Sequence, residues 1–513
     1  MSDYSFQTEC LNTMYNNTAG KIILPTGAGK SRIEFEYARS KMTRSDGKHQ
    51  VVIVVAPRII LCQQLIQNFF DYLIDKYGDI KEKFTFVSSG HFPSGLKIGK
   101  QPFPGNNTTA IDQIKDDIEK GKQQGLDNIL FSTYKSFSRC IEGVKAGIGE
   151  DSEVFLIADE AHYFTRKSSE DKNNSSFDAL KNNLDMFKAR FFFTATPRES
   201  GIEAESKSPM NNEPVYGKVI FERKPKDMMS AGIICEPRLH SVSFEEDISE
   251  KNFSTAAGDF ILKAYDKHQE IVRSHCGDSQ LKDKIGAKVL VAVEGSQQLN
   301  LLLNNGFKEK ANAKGIKVFW TMSHQDIGSG SQEVLEDEEE SVEKDMKIGS
   351  FLKDINECGK VDTNKMIILH YNQLTEGIDI PAMTGLIVLR GMVKEKAIQS
   401  IGRVLRVHTN DRDKDIKDKT DWIKPYSYII VPNLETTSEF NELVKHLREE
   451  YSSVIKVEMT DSALGVTGQQ PILQNFDDKK ANYKIIDTKL VHEIEEFEKK
   501  LEEQIKQEQI DLF

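Results

Sequence analysis

The segment Lys21-Ile-Ile-Leu-Pro-Thr-Gly-Ala-Gly-Lys-Ser31 constrains this chain more than any other. An apolar run of the kind that forms a buried parallel strand leads into a glycine-containing loop, and Gly29-Lys30-Ser31 opens a helix. In that order the loop can turn backbone N–H groups towards phosphate oxygens, and the helix N-terminus adds partial positive charge. The lysine then reaches the β- and γ-phosphates, and the hydroxyl ligates Mg2+. Pro25, Thr26, Gly27, Ala28, Gly29, Lys30 and Ser31 are therefore the candidates to hold ATP, and Ser31 is also a candidate magnesium ligand. The strict form of the pattern has glycine where Leu24 stands. A strand–turn–helix with an incidental Gly-Lys-Ser is the competing reading, and the flanking strand and helix weigh against it.

The partner that such a loop needs lies downstream. Val154-Phe-Leu-Ile-Ala-Asp-Glu-Ala-His162 is an apolar run ending in two carboxylates, at the strand end where α/β sheets bind ligands. Asp159 is placed to hold Mg2+, directly or through water, and Glu160 to orient or deprotonate the attacking water. Solvated acids at a strand end are common. The phosphate loop upstream makes that reading poor, because hydrolysis of a magnesium nucleotide needs this partner.

Similar apolar runs alternate with helical patterns along the whole chain, which predicts an α/β fold with parallel sheets. Strands are expected at Lys21–Leu24, Val51–Ala56, Phe84–Ser88, Asn128–Ser132, Val154–Ala158 and Arg190–Thr194. After Pro214 they resume at Lys288–Val293, Lys317–Thr321, Met366–His370, Gly385–Leu389 and Tyr428–Val431. Two sheets imply two domains joined around Val215–Pro237, and 513 residues suffice for a core in each. The sheet signal fades after Val431, where a helix around Ser438–Tyr451, a mixed segment and a charged helix from Lys489 are expected. The expected divisions are 1–222, 223–435, and a small helical extension over 436–513. Gly90–Asn107, Thr165–Ser176 and Ser200–Pro214 read as loops, while acidic Glu333–Asp345 and mixed-sign Asp411–Asp421 read as solvated insertions. No apolar run approaches the ~18 residues that cross a bilayer. The start has no basic region leading into an apolar one, and the six cysteines include no Cys-x-x-Cys pair. A cytoplasmic protein with reduced thiols and no membrane partner is expected. The net charge of −12 requires any nucleic-acid contact to come from a local groove.

Asp159-Glu160-Ala161-His162, combined with Pro25–Ser31, resembles the superfamily 2 DEAH-box helicases, in which Pro-Thr-Gly-x-Gly-Lys is usual. Further motifs appear in the helicase order. Phe6-Gln7 resembles the adenine-reading glutamine, Ala56-Pro57-Arg58 with Gln63 or Gln64 resembles motif Ia, and Ser132-Thr133-Tyr134 resembles the following strand-end contact. Thr194-Ala195-Thr196-Pro197 resembles motif III, and Val289–Gln297 occupies the motif IV position. Thr375-Glu376-Gly377-Ile378-Asp379-Ile380-Pro381 resembles motif V, and Gln399-Ser400-Ile401-Gly402-Arg403-Val404-Leu405-Arg406 resembles motif VI. The join from Val215 to Ile234 is similar to that of the restriction-enzyme Res-subunit type. The resemblance covers about Tyr4 to Pro432 and implies tandem RecA-like P-loop NTPase domains with ATP and Mg2+ as cofactors. It implies that Gln7, Gly377 and Asp379 touch the nucleotide and that Gln399, Arg403 and Arg406 complete catalysis. It further implies that His162, Thr194 and Thr196 couple the site to a nucleic-acid track. That track would be contacted by Arg58, Thr133, Thr375 and Thr321 or His324.

Arginines at i and i+3 share one helix face, so Arg403 and Arg406 can both point into an interdomain cleft as arginine fingers. Turnover would then await cleft closure. The leading reading is an ATP-dependent DNA helicase or translocase, for which the resemblance favours 3′→5′ movement. An RNA helicase, the motor of a restriction complex and a nucleotide-switched scaffold are the alternatives. No nuclease constellation is visible, because Glu498-Lys499-Lys500 lies in a charged helix. Near the C-terminus Leu490, Ile494, Phe497, Leu501 and Ile505 form one apolar stripe on that helix. The peptide that follows, Gln509-Ile510-Asp511-Leu512-Phe513, resembles those by which polymerases and repair proteins dock on the bacterial sliding clamp. There Leu512 and Phe513 would fill an apolar pocket with Gln509 at its edge, which points to replication or repair in a bacterium or phage.

Overall fold

The computed structural model describes residues 4–42, 47–78, 80, 82–90, 97–98, 101–102, 105–165, 175–198, 209–242, 253–293, 296–321, 327–328, 351, 353–370, 380, 382–389, 400–432, 447, 451, 456–460 and 472–475. The first half builds one sheet from β1 (Ala19–Ile23), β2 (His49–Ala56), β3 (Glu82–Val87), β6 (Gly105–Asn107), β7 (Asp127–Thr133), β8 (Ser152–Ala158), β9 (Phe187–Thr194) and β10 (Val219–Glu222). A two-stranded hairpin, β4 (Lys97–Ile98) with β5 (Gln101–Pro102), stands apart from it. The order is β10-β1-β9-β8-β2-β7-β3-β6, and every pairing is parallel. All-parallel sheets need cover on both faces. In β2, accordingly, Val51, Ile53 and Val55 pack into one apolar layer while Val52, Val54 and Ala56 pack into the opposite one.

The second sheet contains β11 (Glu236–Val242), β12 (Lys288–Ala292), β13 (Ile316–Thr321), β14 (Ile327–Gly328), β15 (Lys365–His370), β16 (Gly385–Val388), β17 (Tyr426–Pro432), β18 (Lys456–Thr460) and β19 (Ile472–Asn475). Its order is β14-β13-β15-β12-β16-β17-β11-β18-β19, parallel except where β14 and β19 add antiparallel edges. One apolar layer runs from the first sheet into the second and includes Met228, Ile233 and Ile234 of the connecting segment. The fold class expected from the strand pattern, two tandem RecA-like parallel sheets with interleaved helices, is the one present.

Several elements differ from expectation. Part of the Val215–Pro237 join is strand, because Val219–Glu222 pairs with β1 as an edge in which only Phe221 is buried. Its apolar run is only Val219, Ile220 and Phe221, too short to stand out as a strand. The tail of the Gly90–Asn107 loop is likewise an edge strand, β6 beside β3. The sheet also continues past Val431, since β18 pairs with β11 and β19 pairs with β18. Strand β11 escaped notice because it buries polar residues, Arg238 and His240, and starts Glu-Pro. All six cysteines are free and buried. Among the described residues no helix is long and apolar enough to cross a membrane. The helix expected from Lys489, Gln509, Leu512 and Phe513 lie outside the described residues.

Candidate active site

Strand β1 ends at Ile23, and the loop that follows enters helix α2 (Lys30–Met42). Gly27 and Gly29 have φ of +87° and +81°, a left-handed conformation open to glycine at little cost. Each is also approached closely. A Cβ on Gly29 would lie 2.7 Å from Gln7 Nε2, and one on Gly27 would lie 3.4 Å from Arg406 Cγ. Gln7, on the helix Ser5–Tyr15, thus sits against the phosphate loop, and the second sheet reaches the same loop from the other side.

The sheet order places β9 between β1 and β8, so Thr194 stands between the phosphate loop and the two acids. Asp159 leaves β8 with its N–H donating to Val55 O at 2.8 Å, and its carbonyl accepts the Tyr134 hydroxyl at 2.7 Å. Glu160 then turns at φ +48°, rare for a residue with a side chain, and its N–H donates to Asp159 Oδ1 at 2.9 Å. Strained backbone of this kind collects at functional sites. The turn aims the Glu160 carboxylate at Lys30 Nζ, 3.5 Å away, and at His162 Nδ1, 3.4 Å away. His162 Nδ1 is also 3.0 Å from Thr194 Oγ1, which accepts the Thr196 N–H at 3.1 Å. His162, Thr194 and Thr196 therefore form one continuous polar chain ending on Glu160.

Electrostatics separates the acids. Burial works to raise the Glu160 carboxyl, but Lys30, His162 and Arg403 outweigh it and hold the group below the usual carboxylate range. Asp159 goes the other way, raised to about 7 by burial and then by Glu160, against the pull of Lys30. A third acid belongs to this pocket, Glu34 on α2. It is fully buried, and burial and Asp159 push its carboxyl well up.

The second sheet contributes residues 400–404, which are helical. Gly402 meets the phosphate loop so closely that a Cβ on it would lie 2.4 Å from Thr26 Cβ. Arg403 is 4% exposed and adds its charge to those acting on Asp159 and Glu160. Arg406 corrects the expectation of a shared helix face. The helix stops at 404, and Arg406 forms an antiparallel bridge with Ile234, from which its side chain lies over Gly27. Both arginines reach the cleft, but from a helix end and from an extended residue. Buried Lys424 donates from Nζ to Val404 O and Arg406 O at 2.5 Å each, Ser427 Oγ donates to Val404 O at 2.6 Å, and Cys235 N–H donates to Leu405 O at 2.6 Å. Asp411, expected in a solvated stretch, is instead fully buried and accepts the N–H groups of Ile423 and Lys424. The signal missed here was an acid and a lysine bracketing a polar run.

Arg58 is half-buried at the N-terminus of the helix Ile59–Tyr77, directly after β2. Thr133, at the end of neighbouring β7, was expected to contact a phosphate. Its side chain is 4% exposed and its hydroxyl accepts the Ser136 N–H, so it caps a turn. Thr321 ends β13, and its side chain, like Thr375, Gly377, Asp379, Gln399 and His324, lies outside the described residues. Among the described residues no three His, Cys, Asp or Glu side chains converge to hold an ion directly. Mg2+ does not need such a cage, since it retains waters and is held by one or two protein groups plus substrate phosphates. Ser31 and Asp159 fit that requirement, and the two glycine φ values with Lys30 beside them fit the phosphates.

Residues 1–199 match the family model described as type III restriction enzyme, res subunit. No curated protein matches the chain. Among solved structures, the ATP-dependent Type ISP restriction-modification enzyme LlaBIII bound to DNA is similar at 18% identity and a TM-score of 0.58, over 90% of this chain and 32% of that one. A nuclease-deletion mutant of the Type ISP restriction-modification enzyme LlaGI, in complex with a DNA substrate mimic, is similar at 16% identity and a TM-score of 0.51, over 88% of this chain and 29% of that one. The chain thus spans about a third of the length of either. The resemblance to the Res-subunit type, drawn from the motifs, is borne out over residues 1–199 by the family model, and the two solved structures share the fold.

Proposed function

We propose that this chain is an ATP-driven motor that moves on DNA, hydrolysing Mg-ATP between its two sheets. One observation carries the reading: Lys30 and Glu160 of the first sheet form an ion pair that Arg403 of the second sheet also acts upon. A site assembled from two bodies ties turnover to their relative motion. When bound, Mg2+ neutralises charge on the phosphates. Lys30 binds the β- and γ-phosphate oxygens, and its move to them frees Glu160 from the ion pair. Glu160, an ionised acceptor at neutral pH, then orients the attacking water and draws its proton. Arg403 and Arg406 stabilise charge developing on the transferred phosphoryl group. Gln7 selects adenine from beside Gly29. Proton gain at Glu160 is passed on mechanically through His162 and Thr194 to the motif III loop at Thr196.

DNA is preferred over RNA because the two restriction-modification enzymes described above, each similar at a TM-score over 0.5, are in complexes that contain DNA or a DNA mimic. The Gln509–Phe513 peptide is proposed to dock on a sliding clamp, which a pull-down with and without those residues tests. For the motor, steady-state ATPase is measured alone and with single-stranded DNA or RNA. Stimulation by DNA is expected. Lys30→Ala should abolish turnover in a folded protein, whereas Glu160→Gln should still bind Mg-ATP and stall. Near-wild-type stimulated turnover by Lys30→Ala overturns the nucleotide-site reading, and stimulation by RNA alone overturns the DNA reading.

A further inference from the structure

We infer that Glu34 is a third carboxylate of the magnesium-nucleotide site, acting on the water molecules around the ion rather than on the ion itself. The inference rests on the nucleotide-site reading above. Glu34 lies one helical turn past Lys30 on α2, so the two side chains leave the same face of the helix. It is 1% exposed, and neither carboxyl oxygen has a hydrogen-bond partner. The charges that act on it are those of Asp159, Lys30 and Glu160, which places it in the pocket and not elsewhere in the core.

A buried carboxyl with both oxygens unmatched is costly, and an apolar residue would serve α2 better if packing were the whole role. Of the other inward residues of that helix, Ile33, Phe35, Tyr37, Ala38 and Met42 are ordinary core residues, and the buried Arg39 is paired with Glu82. The neighbouring acids are already engaged. Asp159 accepts the Glu160 N–H, and Glu160 pairs with Lys30 and His162. Glu34 alone offers two free acceptors. An ion-bound water is their complement, because it turns its lone pairs to the cation and can only donate to its surroundings. A phosphate oxygen, itself an acceptor, would be repelled. With Ser31 and Asp159 already placed as the protein ligands and Mg2+ retaining several waters, the water-mediated contact is the one left to Glu34. Carboxylates that bind an ion through its waters are positioning residues, and losing one typically costs about 10–100-fold in metal affinity.

The test is a Mg2+ titration of a fluorescent, non-hydrolysable ATP analogue bound to the full chain, as wild type, Glu34→Gln and Glu34→Met. Both variants should bind the analogue as wild type does in EDTA, yet need at least about tenfold more Mg2+ for the metal-dependent tightening. The melting temperature without Mg2+ should hold in Glu34→Gln and rise in Glu34→Met, because an unmatched buried acid has gone. An unchanged Mg2+ midpoint in either folded variant overturns the inference, as does a loss of analogue binding in EDTA equal to that with Mg2+. Should Gln and Met both prevent folding, Glu34→Asp is titrated instead, and a wild-type midpoint there is equally fatal. If wild type itself shows no Mg2+-dependent binding, it is the nucleotide-site reading that falls.

Discussion

At the cleft, the two sheets hold different buried polar groups in different ways. In the first, side chains of the pocket engage one another: Lys30 with Glu160, Glu160 with His162, and His162 with Thr194. In the second, the buried polar side chains behind Arg403 and Arg406 engage the backbone: Lys424 and Ser427 hold the carbonyls of Val404 and Arg406, and Asp411 holds two N–H groups. Side-chain networks can rearrange when a ligand arrives, whereas backbone clamps fix a shape. On the proposed function, the first sheet is therefore the half that responds to nucleotide, and the second the half that presents two arginines in a set place.

The largest expected effect comes from removing what the second sheet presents. Arg403→Ala or Arg406→Ala should lower stimulated turnover by ~10³-fold or more, with nucleotide affinity changed only severalfold, because such a group acts mainly in the transition state. Steady-state kinetics beside equilibrium nucleotide binding checks this. Equal losses in both would mean that the arginines bind ground-state phosphate, and the contrast between a responsive and a presenting half would fail.

A smaller loss should follow from keeping the halves apart. In Gly402→Ala the new methyl would lie 2.4 Å from Thr26 Cβ, so the closed arrangement cannot form without displacement. Misplacement by about 1 Å can cost roughly 10²-fold in rate. Turnover should fall ten- to a hundredfold while the first sheet still binds nucleotide, as a fluorescent analogue would report.

The smallest effect separates the halves by pH. In the second sheet burial lowers His240 to about 4 and His268 and His370 to about 3, with Lys267, His240 and Arg403 respectively adding to it. Folding then disfavours protons that the unfolded chain binds, so this stability is whole above about pH 6.5 and is lost as pH falls through that window. The first sheet has the reverse sign, since Glu34 and Asp159 are raised, and their penalty is relieved as pH falls below about 7 towards the unfolded carboxylate range. Trp320 and Trp422, both in the second half, are the two tryptophans of the chain. The denaturation midpoint read by tryptophan fluorescence should therefore drop between pH 7 and 5 relative to the midpoint read by far-UV circular dichroism. Parallel shifts would erase the distinction.

Much of this was legible because parallel strands covered on both faces read as plain apolar runs, as at Val51–Ala56 and Val154–Ala158. The phosphate loop and the acid pair were legible because their chemistry depends on neighbours in sequence. What escaped depends on neighbours in space. Glu34 is an unremarked acid until α2 turns it inward, and Tyr134 gains its meaning only when its hydroxyl meets Asp159 O. Asp411 reads from sequence as a member of a hydrated stretch, and its burial against the N–H groups of Ile423 and Lys424 gives it its role. Arg406 was placed on the right side of the cleft for the wrong reason, since periodicity cannot foresee that a helix ends at 404.

The bridge between Ile234 and Arg406 has a mechanical consequence. Ile234 belongs to the segment that links the halves, so tether and tool are fastened together at that point. From β10, which ends at Glu222, only residues 223–233 remain as free rope. Even fully unravelled they reach about 40 Å, and with the turn of helix at Pro225–Ser230 intact they reach far less. The travel of the arginine pair away from the phosphate loop is thus capped by the length of one short cord. If the chain is the motor proposed above, any stroke longer than that cord would have to come from elsewhere in the molecule.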